Sequence, residues 1–331
     1  MDAQSIHDVA VLGLGTMGHG IAQTFAAAGC RVRCYDESAS ARDTLVDRVR
    51  ANLRQMAEAG AVGDESIQQT LQRIEILDNE TEAVGPAQFV AEAVSEDLIL
   101  KQDTFARVEL LVAPETILAS NSSSFPITET AANMQRPERA IVTHWFNPPH
   151  IVPVVEVVPG KRTSDETTQI THRFLERAGK LPVRLSKEIP GFLVNRVQVA
   201  IFREVFDLLD RGVATAEEID AAIRGSIGLR LAAMGPLQIL DFAGLDITGR
   251  VYENLVPQVR SDTELPSAVR KLVDQGHFGV KTGKGIYDYT PQSIEEKRTQ
   301  RDRRFLALAK LFQDKHFLGL ADSTGLGDRN A

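Results

Sequence analysis

The feature that most constrains this chain is a glycine-rich phrase between a strand and a helix. Residues 7–14 rise to the apolar run Val9-Ala10-Val11-Leu12 and break at Gly13-Leu14-Gly15-Thr16-Met17-Gly18. Residues 16–28 then read as a helix closed by Gly29. A G-x-G-x-x-G pattern alone is a weak signal, but between a strand and a helix it has the context of a dinucleotide-binding turn. The first glycine permits the tight turn, the second lets backbone approach a pyrophosphate, and the third lets helix and strand pack closely. The helix N-terminus then faces the negative charge. Asp36 ends the second predicted strand, residues 31–35. A carboxylate there binds ribose hydroxyls and repels a 2′-phosphate, so NAD is the expected cofactor. Gly13, Gly15, Gly18 and Asp36 are its expected contacts. The alternative is a plain strand–helix turn with an exposed aspartate.

The rest of the first half alternates. Residues 38–56 carry apolar positions at helical spacing, Gly60 and Gly63 interrupt, and residues 65–73 resume, which predicts a helical hairpin after the second strand. Further strands are expected at 74–77, 89–93, 116–120, 140–145 and 154–158, with helices at 98–111 and 165–178. Such alternation predicts a mostly parallel, doubly wound sheet of Rossmann type. Past Pro190 the pattern becomes all-helical, over 191–211, 215–224, 237–255 and 263–275. The expected fold is therefore an α/β Rossmann-type domain over 1–189, hairpin included, an all-helical domain over 190–290 and a charged extension over 291–331. Within that extension, residues 291–313 read as helix and the last residues as loose chain.

Composition narrows the function. With 43% hydrophobic and 25% charged residues, the chain is an ordinary globular protein. A formal net charge of -8 argues against nucleic acid or an acidic membrane as partner. No apolar run approaches membrane-spanning length, and the polar N-terminus shows no signal peptide. Cys30 and Cys34 read as two reduced thiols, which places the chain in the cytoplasm, and no metal site is expected.

The chemistry points to the strand end at His144-Trp145-Phe146-Asn147-Pro148, where open α/β sheets bind their ligands. On the next apolar strand, Glu156 sits within Val154-Val155-Glu156-Val157-Val158. A carboxylate among valines in a buried strand is costly unless paired, and His144 is the available partner. Such a pair makes a tuned base, the carboxylate fixing the tautomer and stabilising the imidazolium. From these two residues alone, a structural histidine beside a strand-edge glutamate is an equal reading.

Several separate phrases, in order, then resemble one family. They are the glycine phrase with Gly20-Ile21-Ala22-Gln23, Glu92-Ala93-Val94 with Glu96, Ser120-Asn121-Ser122-Ser123, the His144 phrase and Val155-Glu156-Val157. Pro190-Gly191-Phe192-Leu193-Val194-Asn195-Arg196, Met234-Gly235-Pro236 and Lys281-Thr282-Gly283-Lys284-Gly285 complete the set. Together they resemble the 3-hydroxyacyl-CoA dehydrogenases, which pair a Rossmann domain with a helical dimerisation domain. The resemblance implies an NAD-dependent oxidoreductase of fatty acid metabolism, a homodimer acting on a small-molecule substrate. It implies that His144 takes the hydroxyl proton while Glu156 charge-balances it. It also implies that Ser123 and Asn195 hydrogen-bond the substrate, and that Glu96, Lys101, Asn121, Asn147 and Lys281 contact the cofactor. Read as bare residues, Ser123 is equally a turn or capping serine and Asn195 a helix-surface residue. Asn147 before Pro148 is equally a turn residue, and Lys101 and Lys281 are equally solvated charges.

Two features bear on the substrate. No lysine occurs among residues 1–100, where the family's acyl-CoA enzymes carry lysines on the hairpin; arginines Arg48, Arg50, Arg54 and Arg73 stand there instead. Arginine also binds phosphate, although Asp47 and Arg50, three apart on a helix, can pair with each other. The phrase Pro148-Pro149-His150-Ile151-Val152-Pro153 is closer to relatives acting on small non-CoA hydroxy acids such as carnitine or gulonate. The first expectation is a 3-hydroxyacyl-CoA and the second a free 3-hydroxy acid. Outside these lie a β-hydroxyacid dehydrogenase with a catalytic lysine, which leaves the His144/Glu156 pair unexplained, and a non-enzymatic crystallin-like binding protein, against which the full set of polar site residues argues.

Overall fold

The computed structural model describes residues 2–313. The chain forms two compact units, Met1–Asn195 and Arg196–Ala331. The first is built on one eight-stranded sheet, β1 (Asp8–Leu12), β2 (Arg31–Tyr35), β3 (Ile74–Ile76), β4 (Phe89–Glu92), β5 (Ile117–Ser120), β6 (Ala140–Trp145), β7 (Val154–Pro159) and β8 (Leu181–Arg184), in the order β3-β2-β1-β4-β5-β6-β7-β8. Every neighbouring pair is parallel except β6 with β7. The order steps outward one way from β1 to β3 and the other way from β4, which leaves a switch point beyond the carboxyl ends of β1 and β4. That is where a doubly wound sheet binds ligands.

Side-chain alternation divides the core. Val9 and Val11 of β1 join one buried cluster, and Ala10 and Leu12 join the other, because successive strand residues point to opposite faces. The first face is covered by α1 (Gly18–Ala27), the hairpin and a helix at Asp165–Arg177. Aromatic rings fill its centre. Phe25 stacks on Phe174 at 5.1 Å and meets Phe89 and Trp145 edge-on at 5.8 and 5.5 Å.

The hairpin differs from a pair of uninterrupted helices. Its first arm is split into α2 (Ala39–Asp43) and α3 (Leu45–Glu58), followed by α4 (Asp64–Leu71). At the break the Thr44 hydroxyl donates to the Ser40 carbonyl, a back-bond that bends helices. Between β3 and β8 lie α5 (Glu80–Val84), α6 (Leu98–Glu109), α7 (Ile127–Thr130) and α8 (Asp165–Arg177). Strand β8 has no sequence forecast because it is short, half-exposed and contains Pro182.

After α9 (Val194–Asp210) the second unit is helical, with α10 (Ala216–Ile223), α11 (Leu229–Ala233), α12 (Pro236–Ala243), α13 (Leu245–Leu255), α14 (Ser267–Asp274) and α15 (Pro291–Ala309). The long helix expected over 237–255 is two, broken at Gly244, whose φ of 92° belongs to the left-handed region. The expectation of loose chain at the C-terminus falls outside the described residues. Leu237, Phe242, Leu245 and Tyr252 are all exposed on this unit. No helix among the described residues is long and apolar enough to cross a membrane.

The ring stack gives a direct test of the first unit's core. Phe25→Ala should cost about 3–5 kcal/mol, since a buried aromatic leaves a cavity that its neighbours fill only in part. Urea unfolding followed by the fluorescence of Trp145, the single tryptophan, checks this, because Phe25 lies against that indole.

Candidate active site

The glycine loop has little steric freedom except on one side. A Cβ on Gly13 would lie 2.5 Å from the Ala93 carbonyl, and one on Gly18 would lie 1.7 Å from the Gly13 carbonyl. Gly15 has nothing within 4 Å of its missing Cβ, so its backbone faces open space at the helix start. This is the arrangement a pyrophosphate needs. Asp36 closes the adjoining strand end. It accepts from Leu14 N at 2.6 Å and Ser38 N at 2.8 Å, which fixes its carboxylate beside the loop. These residues fit NAD, which when bound supplies the hydride acceptor.

Around the neighbouring strand ends, acid groups are held by dense hydrogen bonding. Glu92, at the end of β4, is buried and binds Lys101 Nζ at 2.7 Å, Val94 N at 2.9 Å and Ser120 Oγ at 2.6 Å. Lys101, on α6, is itself 1% exposed, and its ammonium also lies 3.3 Å from Glu96. Its contribution to any cofactor contact therefore runs through Glu96. Glu96 Oε1 accepts from Ser122 Oγ at 2.7 Å, Ser123 N at 2.9 Å and Ser124 N at 3.1 Å. Burial alone would raise the Glu96 carboxyl, but the Ser122 hydroxyl, the Lys101 charge and the other serine donors hold it below the ordinary carboxylate value.

His144 and Glu156 are directly opposite in the antiparallel register of β6 and β7, so their side chains leave the same face of the sheet. His144 Nδ1 lies 2.6 Å from Glu156 Oε2, with both residues buried. The other carboxylate oxygen accepts from Leu193 N at 3.0 Å and Val194 N at 2.9 Å, at the start of α9. Gly191 and Phe192 both have positive φ, 74° and 49°, and this double left-handed step turns the two amides toward Glu156. The Phe192 ring, fully buried, lies 5.6 Å from the imidazole, and Phe146 lies 4.6 Å from it. With Nδ1 committed to the carboxylate, His144 Nε2 has no hydrogen-bond partner among the described residues and is the atom placed to accept a proton.

The polar residues expected around this pair fall into two groups. Ser123 and Asn195 are together, Asn195 Nδ2 donating to the Ser123 carbonyl at 3.1 Å, while the Ser123 hydroxyl points to Glu96 at 3.3 Å. Asn121 at the end of β5 accepts from Trp145 N at 3.0 Å and so ties β5 to the His144 strand. Asn147 is exposed just past His144. Lys281 is an exposed residue of the second unit, in the turn closed by the Gly279–Lys284 bridge.

Four contributors have no site role assigned from the sequence. Glu92 follows the same logic as Glu156, an acid ending an apolar strand, and was legible on that ground. The two backbone amides on Glu156 have no side-chain signature. Lys180 is half-buried against the loop after His144, donating to the carbonyls of Pro149 at 2.6 Å and Val152 at 3.0 Å. Its ammonium lies 5.3 Å from the Trp145 ring, and burial pushes its pKa down to about 7.

Comparison with known proteins agrees in both units. Residues 8–189 match the family model for the 3-hydroxyacyl-CoA dehydrogenase NAD binding domain, and residues 191–289 match that for the C-terminal domain. The 5-formyl-3-hydroxy-2-methylpyridine 4-carboxylate 5-dehydrogenase of Mesorhizobium japonicum is 34% identical over 312 residues, 94% of this chain and 99% of that protein. A probable 3-hydroxybutyryl-CoA dehydrogenase of Bacillus subtilis is 38% identical over 285 residues, 86% of this chain and 98% of its own length. Among solved structures, a 5-formyl-3-hydroxy-2-methylpyridine 4-carboxylic acid 5-dehydrogenase, described as an NAD+ dependent dismutase, superposes with a TM-score of 0.87 at 32% identity, covering 93% of this chain and 99% of that one.

If the imidazole is the base, His144→Gln should reduce turnover by about 10²–10⁴-fold while NADH affinity stays near that of the unmodified protein. Glu156→Gln should lower kcat severely as well, since the imidazolium then forms without its counter-charge. Single-turnover rates with NADH binding measured in parallel check both, and a His144→Gln protein retaining most of its kcat rejects the assignment.

Proposed function

Because the chain belongs to the 3-hydroxyacyl-CoA dehydrogenase family, we propose that it oxidises the hydroxyl of a small free hydroxy acid with NAD, using His144 as base. The imidazole Nε2 takes the hydroxyl proton as hydride leaves the carbinol carbon, and Glu156 balances the imidazolium. The half-buried Asn195 donates its second amide hydrogen to the substrate oxygens, and the exposed Ser123 joins it once its hydroxyl turns from Glu96, which orients the carbinol carbon.

The observation that carries the choice of a free acid is the pairing of Arg50 with Asp47 at 2.5 Å on α3. A CoA substrate brings a 3′-phosphate and a pyrophosphate, which need cations along an outer groove. The hairpin is the expected wall of that groove. Its Arg50 is matched to an acid of its own helix, and Arg48 turns inward to donate to the Gly15 carbonyl at 3.2 Å. The near full-length similarity to a dehydrogenase named for a pyridine carboxylate supports the same reading. The thioester remains the second reading, favoured by the Bacillus subtilis relative named as a 3-hydroxybutyryl-CoA dehydrogenase.

Two measurements test this. In a panel of 3-hydroxybutyryl-CoA, free 3-hydroxybutyrate, carnitine and similar acids, a free acid should exceed the thioester in kcat/KM by about tenfold or more, which is 1.4 kcal/mol of differential transition-state binding. A thioester preference that falls with Arg54→Ala would reverse the choice. We also infer a homodimer formed through the helical unit, supported by its exposed Leu237, Phe242, Leu245 and Tyr252. Light scattering at micromolar concentration should give twice the 36.3 kDa chain mass, and a monomer would refute it.

A further inference from the structure

We propose that Arg48 is a cofactor-binding residue, its guanidinium reaching across the glycine loop to hold the pyrophosphate of the dinucleotide. The proposal rests on the NAD site and not on the choice of substrate. Arg48 stands in the first turns of α3, and its side chain is folded back and fixed by three backbone carbonyls. Nε donates to Thr44 at 3.4 Å, Nη2 to Ala41 at 2.9 Å and Nη1 to Gly15 at 3.2 Å. A guanidinium carries five N–H groups, so donors remain once these bonds are made. No carboxylate of the described residues lies within ion-pair distance of it. Arg50, two residues on along the same helix, is by contrast paired with Asp47. A half-buried cation restrained by neutral acceptors, without a counter-ion, is pre-organised for an anion from outside the chain.

Its position says which anion. The carbonyl it holds belongs to Gly15, the glycine whose outer side is open, and that is the side a pyrophosphate approaches. The same carbonyl is bonded by His19 Nδ1 at 2.8 Å, so two side chains fix the peptide at the centre of the loop. In that bond the ring nitrogen donates, which leaves Nε2 the unprotonated nitrogen of a neutral ring. Burial, with the Arg48 charge adding to it, holds the His19 pKa below its usual value, the Gly15 bond opposing. The local positive charge is therefore that of Arg48. Asp36 acts on the guanidinium only through its charge, from beyond ion-pair distance, and repels a phosphate placed on the ribose. The cation thus belongs to the bridge between the two nucleotide halves and not to a 2′-phosphate.

The test is direct binding of NADH, ADP-ribose and adenosine to Arg48→Gln and Arg48→Lys proteins, by calorimetry or nicotinamide fluorescence at several salt concentrations. Arg48→Gln should weaken NADH and ADP-ribose by about tenfold, the loss of one charge-assisted contact, and leave adenosine unchanged. It should also flatten the salt dependence of the NADH affinity. Arg48→Lys, which keeps the charge and loses part of the carbonyl network, should stay within about threefold. Three results overturn the proposal: NADH binding to Arg48→Gln within twofold of the unmodified protein with the same salt dependence, an equal loss for adenosine, or an Arg48→Lys protein as weak as Arg48→Gln. The last two would make the residue a brace for the loop and not a phosphate ligand.

Discussion

A carboxylate with no access to water organises this molecule. Glu156 is 0% exposed, and an ion so placed is tolerable only if its lone pairs are met by donors and its charge by a partner. Each condition is met by a different level of structure. The antiparallel return of β7 beside β6 sets His144 opposite Glu156. The left-handed pair Gly191-Phe192 reverses the chain so that α9 begins with its free amides on the second oxygen. The helix start and the imidazole thus share one acid, and a proton arriving on His144 Nε2 meets a negative charge already fixed in direction.

The acid at the end of β4 repeats the solution with different partners. Glu92 is buried against Lys101, and Lys101 in turn steadies Glu96, whose outer oxygen gathers the serines of the loop after β5. The two assemblies stand at the carboxyl ends of the strands on one side of the switch point, and Asn121 links them through the Trp145 amide. Rigid polar clusters flanking an open glycine loop describe a site whose reactive groups do not need a ligand to arrange them.

Much of this was legible in residue order. The glycine phrase, the acid closing β2 and the apolar strands forecast the Rossmann half, because buried parallel strands and a tight phosphate turn leave few other solutions. His144 and Glu156 were readable as partners because one valine-flanked carboxylate must find a base. What escaped was either backbone or long-range. The amides of Leu193 and Val194 have no side-chain identity to notice, and the antiparallel register between β6 and β7 depends on how a loop returns. Lys101 reads as a solvated charge in sequence, since nothing local says that two glutamates wait beneath it. Strand β8 and the breaks at Thr44 and Gly244 were settled by tertiary packing and single-residue geometry, which periodicity does not register.

Lys180 carries a consequence for how the site tolerates acid and base. Its amine supports the loop that follows His144 through the carbonyls of Pro149 and Val152, and its affinity for a third proton is low enough to be half-lost near neutrality. A neutral amine keeps two N–H groups, one for each carbonyl, so losing the proton removes a charge without releasing either strap. The strut beneath the catalytic strand end is in this sense deaf to the solvent's acidity.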